Sequence, residues 1–177
     1  MSRKLLVKIH LYLATFLAPI IIMIALSGGL YLFGYKGETI KTPVYSGSAS
    51  EINLQAKDIK TEVNRIFKQV GIEHEFEYIK GNSQVAYTRP TSRDYYVLSI
   101  DGDRFNIIKE QPDFIKTIVE LHKGHGPQSF KTLQKITAFG LIFILVSGLW
   151  LAFSTPSMRK ISLIITAAGA TTFLILC

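Results

Sequence analysis

Histidine is the one side-chain type in this 177-residue chain whose placement suits metal or haem ligation, and there are four: His10, His74, His122 and His125. A neutral imidazole binds iron best from a dry pocket. His122 ends an apolar helical face made by Ile115, Ile118 and Val119, just ahead of a hydrophobic run. His125 follows three residues later and shares that face only if the helix survives Gly124. His10 stands at the mouth of the first hydrophobic run, in helical register with Ala14, Leu17, Ile21 and Gly28. An ionisable group at that depth reads as a ligand facing a protein interior, or as an interfacial histidine among Arg3, Lys4 and Lys8; both readings stay open. His74, flanked by Glu73, Glu75 and Glu77, reads as an exposed strand residue. His122 and His125 could chelate a divalent metal together, but the pattern shows no carboxylate or third ligand beside them.

The elements that must position these rings are mostly apolar. Leu11–Phe33 is a 23-residue run without charge, Ile136–Phe153 an 18-residue run, and Ile161–Cys177 adds 17 more. About 20 apolar residues cross the hydrocarbon core as a helix, so the first run is long enough. The second suffices if the bilayer thins or Lys135 reaches toward the interface. The third is the shortest. The first run exceeds the roughly 7–15 apolar residues of a signal peptide and lacks a small-x-small cleavage site, so it reads as an uncleaved anchor. Small residues recur within the runs (Ala14 with Ala18, Ala25 with Gly29, Gly148 with Ala152), a spacing that lets helices approach closely. Tyr31, Tyr35 and Trp150 suit interfacial anchors.

The formal charge of +7 follows the same division. All 13 acids and 14 of the 20 bases fall between Gly34 and Lys131, leaving that segment at +1. Arg3, Lys4, Lys8, Arg159 and Lys160 lie in the N-terminal tail and the short loop between the last two runs. Basic short segments mark the cytoplasmic side, so the excess charge reports topology and anionic lipid contact, with no nucleic acid implied. The expected organisation is a cytoplasmic tail over 1–10, a first span over 11–33, a periplasmic domain with linkers over 34–131, a second span over 132–153, a cytoplasmic loop over 154–160 and a third span over 161–177. The single Cys177 excludes an internal disulfide.

Within the 34–131 segment, Lys36–Ser50 looks irregular. Ile59, Val63, Ile66, Phe67 and Val70 then recur at helical spacing, stopped by Gly71. Alternating segments follow around His74–Lys80, Ser83–Thr88, Asp94–Ile100 and Arg104–Ile108. Gly81-Asn82 and Asp101-Gly102 serve as turns between them. Pro112 opens another helix at its favoured first-turn position. The fold class expected is an α-helical membrane protein of about three spans with an inserted α+β domain, one helix covering one sheet face.

These elements, in this order, resemble the PepSY-associated transmembrane helix family. The matching stretches are His10-Leu11-Tyr12, Leu26-Ser27-Gly28-Gly29-Leu30, the α+β module over Ile52–Ile108, Leu121-His122-Lys123-Gly124 and Ser147-Gly148-Leu149-Trp150. The resemblance implies a bacterial inner-membrane protein tied to iron and siderophore uptake. Some relatives are haem-containing ferrisiderophore reductases with four spans and histidine ligands near both membrane faces. This chain departs from them in having one module and about three spans, so one copy offers too few histidines for two bis-histidine haems. The resemblance therefore implies haem b held by His10 toward the cytoplasm and His122 toward the periplasm, with His125 as a further candidate. Axial partners would come from a second copy or another membrane protein, and ferric siderophore would be the acceptor. One haem cannot bridge a helix of about 35 Å from His10 to Phe33, at about 1.5 Å per residue, so two are needed. There is no P-loop, GxGxxG, nucleophile elbow or HExxH, hence no flavin or nicotinamide site; the donor would be a protein or a quinol. A membrane-tethered, non-enzymatic module that binds or inhibits a partner through its sheet edge is the alternative reading.

The topology has a direct check. In a Cys177→Ser background, Ser48→Cys is expected to react with a membrane-impermeant thiol reagent from the periplasm. Labelling only after the inner membrane is permeabilised would reverse the orientation.

Overall fold

The computed structural model describes residues 2–177. In chain order the elements are α1 (Arg3–Leu32), β1 (Thr39–Ser48), a short 3-10 turn (Ala49–Glu51), α2 (Ile59–Gln69), β2 (Tyr78–Gly81), β3 (Val85–Arg89), β4 (Tyr95–Asp101), β5 (Arg104–Pro112), α3 (Phe114–His122), α4 (Gln128–Phe153) and α5 (Pro156–Leu176). Helices α1, α4 and α5 are each long and apolar enough to cross a membrane. The chain divides into two compact units, one of Met1–Ile22 with Gln134–Cys177, the other of Met23–Leu133.

In the first unit, α1 and α4 run antiparallel. Arg3 donates from Nη2 to Thr155 Oγ1 at 2.8 Å, and His10 meets Ser147 at 2.8 Å. Leu17 presses on Gly140 so closely that a Cβ there would stand 2.3 Å from Leu17 Cδ1. Arg3, His10 and Leu17 are spaced by sevens, the repeat that keeps one helical stripe facing a neighbour. Leu17 and Ser147 are buried accordingly. Helix α5 starts with Pro156 in its first turn, where the missing N–H costs nothing, and buries none of its residues.

The second unit holds an antiparallel five-stranded sheet in the order β1-β5-β4-β3-β2. Alternation along β4 and β5 sends Tyr96, Leu98, Phe105 and Ile107 to one face, where they bury against Val63, Ile66 and Phe67 of α2. Asp58 caps α2 by accepting from the Thr61 backbone N–H at 3.2 Å, which satisfies one of the donors a helix start leaves open. The β4–β5 hairpin turns at Gly102-Asp103, with Gly102 at φ +56°, a conformation that favours glycine.

Four local expectations change. The Lys36–Ser50 stretch is not irregular: it supplies β1, paired with β5 from Thr39↔Pro112 to Ser48↔Arg104, with a register shift at Pro43. Its Gly, Ser and Pro content hid a strand that sits at the sheet edge, where proline is tolerated. The β2–β3 turn takes Asn82-Ser83-Gln84, because the Asn82 side chain accepts from the Gln84 and Val85 N–H groups at 2.9 Å. Pro112 ends β5 instead of opening α3; Asp113 is the cap, accepting from Lys116 N at 2.6 Å and from Glu38 N at 3.0 Å. The alternation around His74 becomes a strand only from Tyr78 onward.

Phe67 is the centre of the core. Its ring lies 5.1 Å from Tyr96, 5.9 Å from Phe76 and 6.4 Å from His74. Phe67→Ala is expected to cost about 3–5 kcal/mol, a large share of the stability of so small a domain. Limited proteolysis of the full chain in detergent should then cut within 50–112, and an unchanged digestion pattern would disprove this reading of the core.

Candidate functional site

The four histidines fall into three kinds of environment, with His10 and His122 alike. His10, on α1, faces α4: its Nδ1 lies 2.8 Å from Ser147 Oγ. Ser147 is itself buried and donates its hydroxyl to the Ile144 carbonyl at 3.1 Å. A Cβ added at Gly148 would come within 3.4 Å of His10 Cε1, so the ring lies against bare backbone. Beside this contact a cavity of about 380 Å3 is lined by Leu6, Phe143, Val146, Ser147 and Trp150.

His122, at the end of α3, repeats the arrangement within the other unit. Its Nδ1 lies 3.0 Å from Ser27 Oγ, and Ser27 donates to the Ile24 carbonyl at 3.0 Å. Ser27 is 1% exposed. A Cβ at Gly28 would lie 3.0 Å from His122 Cε1. The ring borders a cavity of about 410 Å3 whose walls include Gly28, Tyr31, Leu32, Val119 and Lys123. Apolar surface with a few fixed polar groups is the usual make-up of a small-molecule pocket.

His125 does not share the face of His122. It sits in the loop after α3, where Gly124 takes φ +74° and ends the helix. Its Nδ1 donates to Glu120 Oε2 at 2.6 Å, while its carbonyl accepts from Thr91 N at 3.1 Å. Glu120, two residues before His122, is the nearby carboxylate that the pattern reading passed over. It is 5% exposed and holds a cluster together. Thr91 donates to it at 2.7 Å and accepts from Arg89 Nη1 at 2.7 Å. Lys123 donates to the other carboxylate oxygen at 3.0 Å. Burial pushes the Glu120 carboxyl up, but the hydrogen bonds from Thr91, His125 and Lys123 outweigh it and hold the group at about 2. A buried carboxylate with so many donors is ionised and satisfied, whereas the buried Arg89 Nε finds no acceptor. The cluster ties the turn after β3 to the segment that follows His122, a link no sequence spacing reveals.

His74 is not an exposed strand residue. It lies off the sheet among aromatic rings, 4.9 Å from Tyr96 and stacked 6.2 Å from Phe76, with Thr88 Oγ1 3.4 Å from Nε2. The alternating glutamates suggested a solvated strand, but the ring fills a gap beside Phe67. Among the described residues, no three His, Cys, Asp or Glu side chains converge as a metal-ion cage.

Three apolar helices of membrane-spanning length joined to an α+β domain with a five-stranded antiparallel sheet define a small multi-span membrane protein. Residues 7–173 match the family described as PepSY-associated TM region; the chain belongs to this family over nearly its whole length. No curated protein and no solved structure matches it.

The setting of His74 has a testable consequence. Burial pushes its pKa below the ordinary 6.5, and Arg93 and Lys109 push the same way against Asp94. The unfolded chain then binds this proton more readily than the folded one, so the contribution to stability is complete above about pH 6.5 and is lost as pH falls below it. Thermal melts of the full chain are expected to show a declining midpoint in that window. His74→Phe should make the decline shallower, leaving the part due to His125, which burial also depresses. An identical pH slope in the variant would contradict this account.

Proposed function

We propose that this protein is a haem-b electron carrier of the bacterial inner membrane that supports ferric-siderophore reduction, with His122 and His10 as haem ligands and a second copy supplying the missing axial partners. The observation that carries the reading is the His122 ring set against Ser27 and Gly28 beside an apolar cavity of about 410 Å3, with Lys123 among its walls. Such a wall offers an imidazole for iron and apolar surface for a porphyrin. The donor set fits haem as one half of a bis-histidine site. His10 stands in the same relation to Ser147, Gly148 and the cavity lined by Phe143 and Trp150. Bound haem would supply one-electron chemistry. The residues of this chain would orient the ligands and exclude water, and axial ligand and local dielectric would tune the potential.

The expected orientation places Gly34–Lys131 in the periplasm, where ferric siderophore would meet the His122 side. His125 is the weaker ligand candidate, since its ring is already tied to the loop cluster by Glu120; binding iron with Nε2 would leave its Nδ1–H on the carboxylate. The tethered binding module is favoured by one observation, the outer edge of β1, where Ile40 and Val44 stand exposed and could take an added strand.

A visible spectrum of the detergent-purified chain separates the two. A Soret band with sharp reduced α and β bands is expected. His122→Ala and His10→Ala should each roughly halve the haem per chain, His125→Ala should keep most of it, and the double His10, His122 variant should insert but be colourless. A full spectrum in that double variant would sink the ligand assignment. A wild-type protein without haem, despite ample iron and precursor, would leave the tethered module as the better account.

A further inference from the structure

We propose that α3 is an interfacial helix, sunk into the leaflet on which the α+β domain lies, with Phe114 and Ile118 turned to lipid and its last turn at hydrocarbon depth. The proposal rests on α1 being a membrane span and holds whether or not haem is bound. Depth is read from α1, because α3 runs beside its last turns in the opposite direction. Ile115 adjoins Gly34 and Tyr35 in a small cavity near the start of α3. Val119 and His122 line the cavity bounded by Ser27, Gly28, Tyr31 and Leu32, and His122 Nδ1 reaches Ser27 Oγ at 3.0 Å. The first cation after the apolar run of α1 is Lys36, and it folds back to place Nζ 5.3 Å from the centre of the Tyr31 ring. A tyrosine and a lysine stem so arranged mark the boundary between hydrocarbon and headgroups. Ser27 lies well inside Phe33, by about 9 Å at about 1.5 Å per residue. The end of α3 that touches Ser27 therefore lies below that boundary.

The faces of α3 are sorted as that depth requires. Ile115, Val119 and His122, at helical spacing, lie along α1. Lys116, Glu120 and Lys123 form a second stripe, in which Glu120 is buried and both lysines turn to its carboxylate, at 3.7 and 3.0 Å. A charge at such depth must face protein in this way. Phe114 and Ile118 lie one turn apart on the remaining face. Phe114 is 77% exposed, and Leu32 and Phe33, at the end of α1 that α3 accompanies, are 87% and 83% exposed. The lipid-facing surface of the span thus continues onto α3, which makes lipid the occupant of this face. The turn after α3 meets the other demand of a dry setting. The N–H groups of Lys123, Gly124 and His125 donate to the carbonyls of Val119, Leu121 and Glu120 at 3.0, 3.0 and 2.9 Å. The polar first turns of α4 face the domain: Gln128 N donates to Glu77 Oε2 at 3.0 Å, and Lys131 Nζ lies 4.5 Å from the centre of the Tyr78 ring.

Site-directed spin labelling tests this. In a Cys177→Ser background the full chain receives one cysteine at a time, Phe114→Cys, Ile118→Cys or Ser48→Cys. Each variant is labelled with a nitroxide and reconstituted into phospholipid vesicles. Phe114 is exposed enough for its replacement to leave the fold intact. Collisions with oxygen, which concentrates in hydrocarbon, are compared with collisions with a water-soluble nickel chelate. The oxygen-to-nickel ratio at Phe114 is expected to stand several-fold above that at Ser48, on the exposed end of β1, and to rise again at Ile118. A ratio at Phe114 equal to that at Ser48, or one that does not rise toward Ile118, would place α3 in water and overturn the proposal. A Phe114 label that neither reagent reaches would mean that protein, such as a second copy, covers this face, and would overturn it as well.

Discussion

A polar side chain on a membrane-spanning helix has no water to fall back on, so it must find its partner inside the protein. That constraint organises the spans of this chain. Ser27 and Ser147 cannot be left bare among leucines and isoleucines, and each finds two partners, a carbonyl of its own helix and a histidine Nδ1. The glycine that follows each serine lets the ring come close enough to do so. Leu17 against Gly140 continues the same logic with apolar atoms, since close approach is what holds helices together where lipid is as apolar as the side chains. Polar satisfaction and backbone proximity are thus bought at the same positions.

Outside the spans the constraint is reversed, because water is available and burial must be driven. The α+β domain draws its stability from one helix face laid on one sheet face, with Phe67 reaching Phe76, His74 and Tyr96 at once. The sheet is lengthened by β1, whose backbone groups pair with β5 over nine positions. Glu120 is a charge that the domain buries. Its carboxylate gathers Thr91, Lys123 and His125, so that the residues on either side of His122 are held by fixed hydrogen bonds. A ring presented from such a segment has a defined direction, which a ligand requires and a surface histidine does not.

The functional reading joins these two halves through their histidines. His122 borders a largely apolar cavity, and His10 packs on Ser147, which lines another. Membership of the family accounts for the helices and their order, and the haem reading is a proposal built on these two histidine settings.

Much was legible in the sequence because hydrophobic length and periodicity are local properties. The three long apolar helices, the phase of α2 with Val63, Ile66 and Phe67 inward, a turn at Gly102 (one residue later than expected) and the family itself could all be read from residue order. His10 and His122 were recognisable as candidates from their position at the ends of apolar stretches. What could not be read is whatever depends on residues distant in the chain. β1 was hidden because an edge strand needs no alternating pattern of its own once β5 supplies the partner. His74 looked exposed among glutamates, yet two of the aromatic rings around it, Phe67 and Tyr96, come from α2 and β4. Glu120 stood two residues from His122 in plain view, but its role rests on Thr91 and Arg89, some thirty residues away. Ser27 lies 95 residues from His122, and Ser147 lies 137 from His10. Residue order could mark His10 and His122 as candidates, because apolar length and helical phase are local. Only the tertiary structure, by packing distant segments together, set each ring against a serine and a glycine far away in the chain.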